Sequence, residues 1–91
     1  MALTFEWDTN KAKTNFEKHG ISFEEAATLF ADENSITIDD PVHSLNEKRS
    51  ITIGLTFKRK LLVAVHTERN SKIRIISARS ASRKEKKQYG N

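Results

Sequence analysis

The sequence predicts an α+β domain: a small antiparallel sheet, an N-terminal helix hairpin packed on one of its faces, and a short C-terminal helix. Three observations lead there. Helical spacing governs residues 8–31, interrupted by one glycine. From Arg49 to Arg79 the period changes to two, broken by two short turns. A capping motif, Ser82-Arg-Lys-Glu85, then opens a last helix.

Residues 3–7 alternate and read as a first strand. Asp8 has the chemistry of an N-cap, because its carboxylate can accept from the free amides of a first helical turn. The helix it opens ends near His19, where Gly20 supplies the left-handed conformation that a helix terminus favours. Its apolar face is thin, Ala12 and Phe16, with Asn15 and His19 alongside. Ser22-Phe-Glu-Glu25 is a second capping box, opening a helix over residues 23–31 with Phe23, Ala26, Ala27 and Phe30 as its buried stripe. So short a turn between two helices predicts a hairpin.

Residues 36–38 form a brief strand, broken by Asp39-Asp40-Pro41, and a polar loop runs to Glu47. Residues 49–57 follow as a half-buried strand: Ile51, Ile53, Leu55 and Phe57 point to the core, Ser50, Thr52, Gly54 and Thr56 away. Lys58-Arg59-Lys60 is a loop, residues 61–68 an apolar central strand, Asn70-Ser71 a tight turn, and residues 72–79 the last strand. The final helix stops near Gly90. The order is β-α-α-β-β-β-β-α, with an antiparallel meander at the centre of the sheet.

The turns suggest a register. A turn at Asn70-Ser71 sets Arg69 opposite Lys72 and Thr67 opposite Arg74. A loop joining Phe57 to Leu61 sets Ile53 opposite Val65 and Arg49 near Arg69. Val63, Val65 and Ile76 then share the core side, with Arg49, Thr67, Arg69 and Arg74 at one end of it. His66, Ser77 and Arg79 fall on the opposite face beside Thr52. A single bulge reassigns them, so alternation does not decide whether Arg74 and Arg79 serve one site.

The chain has 91 residues, the length of one domain spanning 1–91, and a net charge of +4. The charge is unevenly spread. Residues 1–47 carry 3 Lys/Arg against 10 Asp/Glu, net −7; residues 48–91 carry 13 against 2, net +11. A surplus of this kind favours a polyanionic partner over mutual neutralisation of the two halves. There are no cysteines, so no disulfide framework and no thiolate metal site is available, which fits a reducing cytoplasm. No signal-like N-terminus and no apolar run of about 20 residues occurs, so no membrane association is expected. His19, His43 and His66 lack metal-ligand spacing, and no phosphate-cradling glycine loop or nucleophile elbow is present, so no cofactor is expected.

The candidates for chemistry have structural readings too. His19 suits a helix C-terminus as a cation. His66 suits a half-buried strand. The 58–60 loop and Arg83, Lys84, Lys86 and Lys87 suit a solvated surface. Arg74, between isoleucines in a strand, needs an anionic partner or a binding role. Glu6, Glu24 and Glu25 read as structural, and Trp7 as core or as a ring that stacks on a base. A basic surface can cleave RNA without a metal: the substrate's own 2′-hydroxyl is the nucleophile, guanidinium groups stabilise the phosphorane, and a His, Glu or Tyr moves the protons.

The run Phe5-Glu-Trp-Asp8, with Lys11, Asn15, Lys18-His-Gly20, Phe23-Glu-Glu-Ala26 and Phe30-Ala-Asp32, resembles the BrnT family of bacterial toxins. So do Glu47-Lys-Arg49, Gly54, His66-Thr-Glu-Arg69 and the closing Ile73-Arg-Ile-Ile-Ser-Ala-Arg79 with Ala81, Arg83, Glu85 and Tyr89. The resemblance covers nearly the whole chain. It implies a RelE-like fold and a ribonuclease toxin of a type II toxin–antitoxin pair, which cleaves RNA and blocks translation. It also implies a cognate ribbon-helix-helix antitoxin, with operator DNA bound only through the toxin–antitoxin complex. Carried onto matching positions, it marks Arg74, Arg79 and Arg83 as phosphate and transition-state ligands, and His19, Glu85 and Tyr89 as proton-transfer or base-stacking groups. Arg49 and Lys58, Arg59 and Lys60 are the expected RNA-backbone contacts. The alternative is a non-catalytic basic module that binds nucleic acid or an antitoxin.

Overall fold

The computed structural model describes residues 3–40 and 47–90. Five strands make one sheet: β1 (Phe5–Glu6), β2 (Ile36–Asp39), β3 (Arg49–Leu55), β4 (Leu61–Arg69) and β5 (Lys72–Ser80), in the order β1-β5-β4-β3-β2. The helices are α1 (Thr9–His19), α2 (Phe23–Ala27) and α3 (Arg83–Gly90). The expected order of elements and the central antiparallel meander are present. The sheet is mixed, however, because β1 joins β5 in parallel, pairing Phe5 with Ile73 and Glu6 with Arg74. Of the loop after β2, residues 41–46 lie outside the described residues, His43 among them.

The helix ends follow their local chemistry. Asp8 Oδ1 accepts the Asn10 and Lys11 amides at 2.8 and 3.0 Å. Gly20 closes α1 at φ 71°, with its N–H on the Phe16 carbonyl. Ser22 Oγ accepts the Glu25 amide at 3.0 Å. The second helix is shorter than expected, because after Ala27 the chain tightens into a 3-10 turn over Thr28–Ala31. At α3 the capping box is reciprocal: Glu85 N donates to Ser82 Oγ at 3.2 Å and Ser82 N to Glu85 Oε1 at 2.8 Å.

Packing reverses the expected polarity of the sheet. The larger core cluster joins Ile21, Phe23, Ala26 and Leu29 to Leu62, Ala64, Ile75 and Ala78. Ile53 and Val63 lie on the other face with Ala81, flanked by Ile51, Leu61 and Tyr89. Thr52 and Gly54, assigned by alternation to the outside, are buried under the helices. Strand β4 is apolar on both faces, so periodicity could not tell which face the helices cover. Gly54 is where backbone meets backbone: a Cβ there would stand 2.9 Å from the Leu29 carbonyl oxygen.

Two register details also differ. The β3–β4 loop is longer than expected, pairing Leu55 with Leu61, so Ile53 faces Val63 and Arg49 faces Thr67. The slip is two residues and leaves the faces unchanged. Phe57 belongs to this loop and is 67% exposed. Arg59 turns the chain at φ 65°, and the Thr56 carbonyl accepts its N–H. The β4–β5 turn is as expected, with Arg69 opposite Lys72 and Thr67 opposite Arg74. Beyond it a bulge intervenes: Val65 faces Ser77 while His66 faces Ile75, leaving Ile76 as the extra residue.

Candidate nucleic-acid interface

The bulge decides the composition of the sheet face opposite Thr52 and Ala64, where Ile53 and Val63 are buried and Arg74 and Arg79 are half-buried. Before it, Arg74 lies opposite Thr67; after it, Ser77 lies opposite Val65 and Arg79 opposite Val63. Val63, Val65 and Thr67 alternate regularly along β4, so all three partners on β5 share one face. Without the extra residue Ser77 and Arg79 would share the face of His66 and Thr52, the face alternation assigned them, which the helices cover. Arg49 and Arg69 join this face through their pairing with Thr67 and Lys72. The row from Arg74 to Arg79 spans four β4 positions, about 14 Å.

Each end of the row is held by carboxylates. Arg74 Nη1 lies 3.4 Å from Glu6 Oε2, brought there by the β1–β5 pairing. Arg69 Nη2 lies 2.6 Å from Glu47 Oε2, and the Arg69 hydrogen bond, outweighing partial desolvation, lowers the Glu47 pKa, with Arg49 and Arg74 adding to the same field. At the other end Arg79 makes a two-pronged pair with Glu85, Nη1 to Oε1 at 2.7 Å and Nη2 to Oε2 at 2.8 Å. That pair, with the Ser82 amide and hydroxyl, pulls the Glu85 carboxyl down to about 2 and raises the Arg79 pKa. Glu85 is thus ionised at neutral pH and orients a guanidinium fork suited to a phosphate.

The remaining candidates are spread around this face. Arg83 is exposed at the start of α3, and Lys84, Lys86 and Lys87 follow on that helix. The Tyr89 hydroxyl donates to Asp32 Oδ2 at 2.5 Å, which raises the Tyr89 pKa. Asp32 also accepts the Leu55 and Asn34 amides, so its carboxyl stays below the usual range despite partial burial. Tyr89 therefore ties α3 to the N-terminal half of the chain. Lys58, Arg59 and Lys60 are exposed in the β3–β4 loop, with Arg59 close enough to Tyr89 to act on it electrostatically. His19 stands apart at the end of α1, in a cleft shared with Ile76 and Ser77.

The fold brings together Arg79 with Glu85 and Arg49 with Arg69 and Arg74; it sets Tyr89 against the Ile53, Val63 and Ala81 cluster beside Arg79, with its hydroxyl on Asp32. His66 takes its structural reading. Its Nε2 lies 2.7 Å from Thr52 Oγ1, which lies 2.8 Å from Thr37 Oγ1, and Phe30 stands edge-on at 4.8 Å. Burial pushes its pKa down to about 4, so the ring is neutral. Sequence reasoning missed Glu6 as a partner of Arg74, Asp32 as the anchor of Tyr89, and the role of Asn15. Asn15 had one visible signal, a polar residue on the thin stripe meant for the sheet.

Among the described residues no group of three or more His, Cys, Asp or Glu is placed to hold a metal ion, and no helix is long and apolar enough to cross a membrane. A family described as "Ribonuclease toxin, BrnT, of type II toxin-antitoxin system" matches residues 7–85. The chain belongs to the BrnT family. The fold agrees: the 1.1 Å crystal structure of the Brucella abortus ribonuclease toxin BrnT superposes with a TM-score of 0.69 at 22% sequence identity, covering 90% of this chain and 100% of that one. No curated protein matches the chain. BrnT membership makes this chain a ribonuclease toxin of a type II toxin–antitoxin system, with an RNA target and an antitoxin as its partners by class.

Proposed function

We propose that this BrnT chain is a metal-independent endoribonuclease that uses the 2′-hydroxyl of its substrate as nucleophile. The observation that carries the reading is the common face of Arg74, Ser77 and Arg79 created by the Ile76 bulge. In the reaction the 2′-oxygen loses its proton and attacks phosphorus, and the bond to the 5′-oxygen breaks. The 5′-oxygen leaves with a proton, and a cyclic phosphate remains. Arg74 and Arg79 hold the phosphate and the charge that grows on it, with Arg83 at the edge of the same surface. Glu85, ionised and engaged, is a positioning residue for Arg79 rather than a proton donor. Tyr89, held by Asp32, keeps α3 in place. His19 is the remaining group for proton transfer, entering from the α1 side. Arg49 and Lys58, Arg59 and Lys60 extend the positive surface along the RNA backbone.

RNA cleavage by this protein acts in the cytoplasm, where it stops translation. A cognate ribbon-helix-helix antitoxin neutralises it by covering the basic face, and operator DNA is bound only through that complex. The test is cleavage of end-labelled RNA in excess chelator by the parent and by Arg79→Ala. Discrete fragments ending in a cyclic phosphate from the parent alone uphold the reading. RNA left intact by the parent, in buffer and in a translating extract alike, rejects it.

A further inference from the structure

Helix α1 turns a cationic stripe toward the sheet. Phe16 faces solvent at 55% exposure, while Asn15 is buried with its side chain on the backbone of Ala78. Lys11, Thr14 and Lys18 follow at helical spacing beside it, and with His19 and Ser77 they line a cleft of about 320 Å³ at the bulged part of β5. The volume is at the lower end of ligand clefts and suits one unpaired nucleotide.

The electrostatics set this cleft apart from the sheet face. Arg69, Arg74 and Arg79 each hold a carboxylate. The lining of the cleft carries two lysines and a histidine and no carboxylate. Asp8 acts on Lys11, but among the described residues no carboxylate is paired with Lys18 or His19. Seven helical residues separate the two lysines, about 10 Å, so they flank the cleft rather than converge on one point. Such spacing matches a chain of phosphates better than a single anion. Ser77 belongs both to the cleft and to the row of Arg74 and Arg79, so a strand lying on that row continues into the cleft.

We infer that the cleft between α1 and β5 is a subsite for one nucleotide of single-stranded RNA adjoining the cleaved bond. Its flanking phosphates are held by Lys11 and Lys18, and its ribose and base edges meet Asn10, Thr14 and Ser77. The inference rests on the ribonuclease reading above and adds to it a place where the substrate is gripped away from the arginines.

The test is binding of a fluorescent 2′-O-methyl oligonucleotide of about eight nucleotides, long enough to cover one binding groove and uncleavable because the methyl blocks the nucleophile. Lys11→Gln/Lys18→Gln, at two exposed positions, is expected to bind about tenfold or more weakly. Loss of two phosphate contacts is expected to make the salt dependence shallower by about 1.4 in log–log slope. Lys11→Arg/Lys18→Arg is expected to restore both. Unchanged affinity and slope in the glutamine variant overturn the subsite. So does loss of binding to polyglutamate with oligonucleotide binding intact, which would mark the cleft as a contact for an acidic protein. Cleavage of ordinary RNA by the parent, run alongside, reports on the enzyme separately. A parent that binds through the cleft yet cuts nothing, in buffer and in a translating extract alike, refutes the ribonuclease and keeps the RNA site, and a parent that neither binds nor cuts in either refutes both.

Discussion

The side-chain amide of Asn15 pairs with the backbone of Ala78 in both directions. Nδ2 donates to the Ala78 carbonyl at 2.9 Å and Oδ1 accepts the Ala78 amide at 3.1 Å, while Nδ2 also reaches the Ile21 carbonyl at 3.2 Å. One buried side chain thus stands in for a neighbouring strand where β1 has already ended. An edge of this kind, left bare in the interior, costs the desolvation of its backbone groups.

Asn15→Ala is therefore expected to destabilise the fold by about 2–4 kcal/mol, the range for stranding buried backbone donors and acceptors. Asn15→Asp is expected to be no better, since it sets a carboxylate oxygen against the Ala78 carbonyl. Urea midpoints of the three proteins measure this.

Arg79 and Glu85 act as a unit. Arg79→Ala is expected to reduce RNA cleavage by about 10²–10³-fold, as removal of a transition-state donor does. Glu85→Gln keeps the shape but loses half of the charged fork, so a smaller loss is expected, with Arg79→Lys falling between because an ammonium cannot reproduce the fork. Single-turnover rates of the three variants give the ranking, and parental activity in both Arg79→Ala and Glu85→Gln would remove both residues from the site.

Acid tests two groups in successive windows that meet near pH 4. His66, held near 4 against an ordinary 6.5, binds a proton more readily unfolded than folded. Its neutral form contributes stability above pH 6.5, and that contribution drains away as pH falls from 6.5 to 4, by about 2 kcal/mol after allowance for partial exposure. Glu85, held near 2 against 4.5, contributes stability above 4.5 that is lost between 4.5 and 2. Being partly exposed, it accounts for about 1 kcal/mol. Urea midpoints from pH 7.5 to 3 are expected to fall in both windows, and His66→Leu is expected to flatten only the upper one.

Gly54→Ala places a methyl 2.9 Å from the Leu29 carbonyl oxygen and 3.2 Å from the Cβ atoms of Leu29 and Ser35. One is backbone and the other two are Cβ atoms fixed to it, so the 3-10 turn carrying Leu29 has to move off the sheet. A destabilisation of about 1–3 kcal/mol is expected, read from the thermal midpoint.

Much of the molecule was legible before any coordinates. Ser22 with Glu25 and Ser82 with Glu85 mark two helix starts, Gly20 marks a stop, and Asn70-Ser71 marks a turn. Each is a local rule whose donor and acceptor lie within a few residues. The charge asymmetry and the BrnT motifs pointed to an RNA-directed surface from composition and residue order alone. What the tertiary structure decided is everything that rests on a count carried across the sheet. Alternation assigns faces only while the register runs unbroken, and one extra residue at Ile76 moved Ser77 and Arg79 to the side of Arg74. No hydropathy pattern announces such a residue. Asn15 likewise took its meaning from Ala78, 63 positions away, because the need of a bare strand edge for hydrogen bonds arises only once the strand has an edge.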